Sequence, residues 1–158
     1  MIINRRAVRA VILTPDREIL LLRIRPPEGS KSFWITPGGG LEADETIEAG
    51  LRRELQEELG LDGFPIGPLV WRRQHTFDWA ERRICQYEEY YVVQVPRFEP
   101  HMSDDLEMHV VDRFQWWPVA ELARIPERLT PLSLAAIVCD YLSYGPPQKP
   151  LDLEVLID

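Results

Sequence analysis

The chain has 158 residues, a hydrophobic share of 45% and five Trp, which suits one domain with a real core. Its net charge of −8 excludes the basic footprint that long nucleic acid needs, but leaves room for a small anionic substrate held through metal ions. There is no run of about 20 apolar residues to span a membrane, and Met1-Ile2-Ile3-Asn4-Arg5-Arg6 lacks the apolar stretch of a secretory signal.

The elements follow in chain order. Arg5 to Thr14 is rich in β-formers and predicts a strand. Pro15-Asp16-Arg17 is a turn, and Glu18 to Arg25 is the second strand of a hairpin. Alternation puts Leu20, Leu22 and Ile24 on one face and Leu21, Arg23 and Arg25 on the other. Two neighbouring guanidinium groups either hold phosphate in bidentate fashion or are solvent-facing edge charges. Pro26 to Ser32 is a loop, and Phe33 to Thr36 a short strand that feeds Pro37-Gly38-Gly39-Gly40.

A helix is predicted from about Glu45 to Leu59, with Asp44 as N-cap and Gly60 as the stop. At roughly 100° per residue, Ile47, Leu51, Leu55 and Leu59 share an apolar arc. Glu54, Glu57 and Glu58 share the adjoining arc. Gly50 costs the helix about 1 kcal/mol relative to Ala, so close approach of a strand or ligand is one expected reason for it. An arbitrary E-x-x-E-E is most often a solvated face. Here the acidic arc abuts the apolar one, a glycine turn leads into the helix, and Arg53-Glu54 precedes the pair. Arg53 can neutralise only one of three crowded carboxylates, and a hard divalent cation is the usual remedy.

Beyond the helix, Asp62 to Pro68 is a connector. Leu69 to Phe77, a turn from Asp78 to Arg82, and Arg83 to Val95 form a second hairpin with Trp79 at its tip. Pro96 to Met108 is a loop bearing Asp104, Asp105 and Glu107. Arg113 to Trp117 is a strand, and Val119 to Leu122 a short helix. Thr130-Pro131 predicts another helix, with Thr as N-cap and Pro at its first position. Residues 146–150 read as a linker and 151–158 as a tail that packs on an edge or a partner. Cys85 and Cys139 make no disulfide framework; both are expected to be buried thiols in a reducing cytoplasm. His75, His101 and His109 have no zinc-ligand spacing.

Gly39, five residues, Glu45, seven residues, then Arg53-Glu54-Leu55-Gln56-Glu57-Glu58-Leu59-Gly60-Leu61 resembles the complete box of the Nudix hydrolases. Every fixed position is filled, over 23 of 158 residues. The resemblance implies an α/β/α sandwich with a mixed sheet between helices, over residues 1–145; the residues alone indicate only α/β or α+β. It implies water attack on phosphorus in a nucleoside diphosphate linked to another group, with Mg²⁺ or Mn²⁺ as cofactor. Glu54, Glu57 and Glu58 become the expected metal ligands, with the Gly38 carbonyl as a further one. Arg53 would fix a glutamate rotamer, and Glu45 would stabilise the turn. Either Glu54 or an acid outside the box would act on the water. Glu107 is the first candidate for that outside acid or metal ligand, with Glu88 and Glu89 as rivals. Arg23 and Arg25 gain weight as substrate-phosphate residues.

The expected partner is a small nucleotide, without long nucleic acid or membrane, and the second hairpin and tail could build a homodimer. A catalytically silent nucleotide-sensing or interaction module is the alternative, against which the intact acids argue. An isomerase on the same scaffold would want a well-placed cysteine. Which nucleotide is cut depends on loops outside the box.

Overall fold

The computed structural model describes residues 1–101 and 110–157. Strand β1 (Ile2–Leu13) lies in the middle of the sheet. Val8, Ala10 and Ile12 bury on one of its faces, Val11 and Leu13 on the other. A strand apolar on both faces needs cover on both sides. β2 (Glu18–Ile24) turns back antiparallel to β1, as the first hairpin predicts. β3 (Phe33–Ile35) pairs with β2, and β4 (Gly38–Gly40) returns to β1. The second hairpin, β5 (Leu69–Trp79) and β6 (Arg82–Gln94), lays β6 parallel to β1. β7 (Val111–Pro118) pairs with β2, β8 (Arg128–Thr130) with β3, and β9 (Leu151–Ile157) with β5. The order is β8-β3-β2-β1-β6-β5-β9, with β4 on β1 and β7 on β2 as branches.

Helix α1 (Ile47–Leu59) covers one face, packing Leu51, Leu55 and Leu59 on Val8, Ala10, Ile12, Leu20 and Val93. A 3-10 helix (Val119–Arg124) and α2 (Leu134–Tyr144) cover the other, with Leu122, Leu134 and Val138 against Leu21, Trp34, Trp71 and Tyr90. This is the expected α/β/α sandwich with a mixed sheet. Each fully buried Leu contributes about 1.5–3 kcal/mol, so the predicted apolar arc anchors α1.

Several local expectations are corrected. Thr46, not Asp44, caps α1: its Oγ1 accepts the Ala49 N–H at 3.1 Å. Asp44 sits at φ 63 inside the preceding turn, a left-handed conformation that Asp tolerates. Gly50 makes room for the Leu41 side chain, not for a strand backbone. Thr130 does not cap a helix, because its backbone pairs with Ile35 and its hydroxyl accepts from Arg73 Nη1 at 2.6 Å. α2 therefore begins only at Leu134. Cys85 is buried as expected, but Cys139 is exposed, one position round the helix from inward-facing Val138. The second hairpin turns tightly at Ala80 and Glu81, both at positive φ, with Trp79 opposite Arg82. The tail lies on an edge of the sheet, parallel to β5. No helix among the described residues is long and apolar enough to cross a membrane.

Candidate active site

The core pulls the acidic arc of α1 inward with it. Glu54 and Glu58 are buried, at 8% and 6% exposure, while Glu57 stays half-buried. The glycine strand β4 runs alongside. The point where a Gly39 Cβ would stand lies 2.5 Å from Glu54 Oε2, so glycine leaves the carboxylate its place. Glu58 Oε1 accepts the Gly38 N–H at 2.9 Å.

Arg53 ties these groups together. Its Nη1 donates to Glu54 Oε1 at 3.0 Å and to Glu57 Oε2 at 3.3 Å. Its Nη2 reaches the Gly40 carbonyl at 3.0 Å, and its Nε and Nη2 clasp Glu45. Only a guanidinium has enough donors in one plane for this. Arg53, and then the Glu42 N–H, hold the Glu45 carboxyl down at about 2. Burial pushes the Glu54 carboxyl up; Arg53 pulls against it, and Glu57 adds a like-charge push.

A second knot lies on the α2 face and was not legible as a unit. Glu88 is 2% exposed. It accepts from Arg9 Nε at 3.2 Å, Arg73 Nε at 2.7 Å, Gln86 Nε2 at 2.7 Å and the Tyr90 hydroxyl at 2.9 Å. Burial alone would raise this carboxyl; Arg9 and Arg73 outweigh it and hold it at about 2. Arg9 Nη1 runs on to the Thr36 and Gly38 carbonyls at 3.2 and 3.3 Å, so Glu88 braces the glycine turn through Arg9. The only signal in the chain was the alternation of Gln86, Glu88 and Tyr90 with Val92 on one face of a long strand.

Arg23 and Arg25 are both engaged in ion pairs, Arg23 half-buried and Arg25 exposed. Arg23 meets Asp112 Oδ2 at 2.6 Å and Glu127 Oε2 at 2.6 Å, and Arg25 pairs with the other oxygen of Asp112. Trp34 is core: it stacks edge-on to Trp117 at 5.3 Å and donates its Nε1–H to Glu127 at 2.9 Å. Glu89 pairs with Arg72 at 3.3 Å. Glu107, with Asp104, Asp105 and His109, lies outside the described residues.

The donors around Gly38 are carboxylates and a backbone carbonyl, the oxygen set that hard divalent cations take. Burial is the main cause of the upward push on Glu54, and Arg53 is shared among Glu45, Glu54 and Glu57, one guanidinium for three carboxylates. Glu54, Glu57, Glu58 and the Gly38 carbonyl therefore suit such a cation by donor type and charge. No ready-made cage is present: among the described residues no group of three acidic, His or Cys side chains already converges as a metal site.

A sandwich of this order, with a glycine strand feeding an acid-lined helix, defines a class. The chain belongs to the Nudix family: residues 3–136 match the NUDIX domain. A putative 8-oxo-dGTP diphosphatase 2 of Mycobacterium tuberculosis is 42% identical over 60 residues, 38% of this chain and 42% of that protein. An octanoyltransferase of Myxococcus xanthus is 34% identical over 116 residues, 71% of this chain but 30% of that protein. The chain thus spans less than half the length of these curated relatives. Among solved structures, the ORF135 protein of E. coli superposes with a TM-score of 0.60 at 25% identity, covering 94% of this chain and 96% of that one. A MutT protein of Methanosarcina mazei gives 0.63 at 21% identity, covering 93% and 97%.

Proposed function

We propose that this chain is a divalent-metal-dependent pyrophosphohydrolase. Water attacks phosphorus and splits the diphosphate bond of a nucleoside diphosphate linked to another group. The observation that supports this best is the Arg53 knot, which holds Glu54 and Glu57 together beside the glycine turn.

Mg²⁺ or Mn²⁺, once bound, would supply positive charge to the phosphate oxygens and the attacking water. Glu54, Glu57, Glu58 and the Gly38 carbonyl would hold it. Arg53 orients two of these carboxylates, and Glu45 orients Arg53 in turn. As water's oxygen bonds to phosphorus, the anhydride P–O bond breaks and the water proton passes to a carboxylate. Among the described acids Glu54 is the candidate for that task, because it is buried against the Gly39 turn beside the other acids. Glu88 is not: two guanidinium groups close it in and hold it at about 2. The net charge of −8 agrees with a small nucleotide as partner, not a long nucleic acid.

The relatives named as 8-oxo-dGTP diphosphatases direct the first trials toward an oxidised purine nucleoside triphosphate. The test is a panel of 8-oxo-dGTP, dGTP, ADP-ribose, a sugar nucleotide and a dinucleoside polyphosphate, with Mg²⁺ or Mn²⁺ and then with EDTA. Products are read by ion-exchange chromatography. Turnover of at least one nucleotide, abolished by EDTA, is the expected result. A metal-binding protein that turns over none of them would favour the silent nucleotide-sensing module.

A further inference from the structure

A phosphate chain delivered to these acids needs cationic contacts from the protein as well as from a metal. Most guanidinium groups near the glycine turn are already committed. Arg53 serves Glu45, Glu54, Glu57 and the Gly40 carbonyl. Arg9 serves Glu88 and two carbonyls, and Arg73 serves Glu88 and Thr130. Arg23 and Arg25 are bound to Asp112 and Glu127.

Arg5 differs from all of these. It stands on the face of β1 that carries Ala7 and Arg9, and Ala7 pairs with Gly40. Its guanidinium lies over Gly40: the point where a Cβ would stand is 2.5 Å from Arg5 Nε and 2.8 Å from Nη2. The missing side chain at residue 40 is what lets Arg5 lie there. Among the described residues Arg5 has no side-chain hydrogen bond or ion pair. Burial and Arg9 disfavour its positive charge, while Glu54 and Glu88 favour it. The side chain is nonetheless exposed and reachable. An unsatisfied planar fork, beside acids but not spent on them, is built to take two oxygens of a phosphate.

We infer that Arg5 binds the phosphate chain of the substrate where that chain crosses Gly40 toward Glu54. This rests on the pyrophosphohydrolase reading. The contact is made to oxygens that keep their charge throughout the reaction, so it acts on binding more than on the chemical step.

The experiment compares wild type, Arg5→Ala, Arg5→Gln and Arg6→Ala. Steady-state kinetics use the best nucleotide of the panel, and calorimetry follows Mg²⁺-pyrophosphate binding. Arg6→Ala removes the same charge from the opposite face of β1, where Arg6 is felt by Tyr91. Both Arg5 variants should raise KM on the order of 10- to 100-fold and weaken pyrophosphate to a similar degree, with kcat nearly unchanged. Arg6→Ala should keep the wild-type KM. All four proteins should melt together, because Arg5 contributes no buried partner. An active wild type whose Arg5→Ala and Arg5→Gln variants keep its KM overturns the assignment alone. Equal rises in KM for the Arg5 and Arg6 variants also overturn it, by showing a general charge effect. A wild type that neither turns over a nucleotide nor binds pyrophosphate overturns the pyrophosphohydrolase reading, and this assignment with it.

Discussion

Arg53 and Glu45 meet in a two-point ion pair, Nε to Oε2 at 2.7 Å and Nη2 to Oε1 at 2.9 Å. Glu45 lies in the turn before α1 and Arg53 in its middle, so the pair locks turn to helix. It also leaves Nη1 aimed at Glu54 and Glu57. Lysine offers one compact charge and cannot reproduce this fork. Arg53→Lys should therefore lower kcat by about 10- to 100-fold while the thermal melt moves little. Kinetics and circular dichroism on the same samples check this. Wild-type kcat in the variant would show that the acids keep their positions without it.

Gly39 offers a sharper probe of geometry. A methyl group there would stand 2.5 Å from the Glu54 carboxylate, and Gly39 has no left-handed φ to strain. Gly39→Ala should push the carboxylate aside and reduce kcat about 100-fold, as an ångström-scale misplacement of a reacting group does. A crystal structure of the variant should show Glu54 displaced. An undisplaced Glu54 with normal activity would contradict the packing described above.

The Glu88 knot predicts how stability depends on pH. Its carboxyl is held at about 2 in the folded chain, against about 4.3 for a free Glu. A lowered folded value favours the native state above the unfolded value, and that advantage disappears as pH falls through about 2. At neutral pH it amounts to about 3 kcal/mol. Urea denaturation at stepped pH should show wild type losing this between about pH 5 and pH 2. Glu88→Gln leaves two buried guanidinium groups short of a partner, costs about 3 kcal/mol at pH 7, and should flatten the curve in that window. An equally steep curve for the variant would place the acid sensitivity elsewhere.

The elements legible in the chain were those fixed by local periodicity. The arc of Leu51, Leu55 and Leu59 predicted both the helix and the face it buries, and it did so because core packing and helical period coincide there. The acids of the box were legible for the same reason, as they sit next to that arc. Charged groups paired across strands were not. Arg23 finds Glu127 and Asp112 more than eighty residues away, and nothing near β2 announces them. Glu88 finds Arg9 across the parallel β1–β6 pair and Arg73 across the β5–β6 hairpin, partnerships that exist only once three strands are in register. Nothing in the chain around Arg5 singles it out, because its place over Gly40 exists only once β4 lies on β1. Thr130-Pro131 carried genuine cap chemistry, but β3 and Arg73 claimed the threonine first.

Asp44 and Thr46 can be told apart by stability. Thr46 Oγ1 caps α1, so Thr46→Ala should cost about 1 kcal/mol in urea denaturation without changing KM. Asp44→Asn, at a left-handed position that Asn also tolerates, should leave stability unchanged. The reverse pattern would return the cap to Asp44.

The most direct measurement of the site is Mg²⁺-dependent hydrolysis of the best nucleotide by wild type and Glu58→Gln, each freed of metal with EDTA and then titrated. Glu58 Oε1 accepts the Gly38 N–H at 2.9 Å, next to the Gly38 carbonyl proposed to share the cation with it. Wild type should be inactive without metal and saturate as it is added, and Glu58→Gln should lose most of that activity at every concentration. Full turnover in EDTA, or a Glu58→Gln variant that matches wild type throughout the titration, would contradict a metal-dependent site built on these acids.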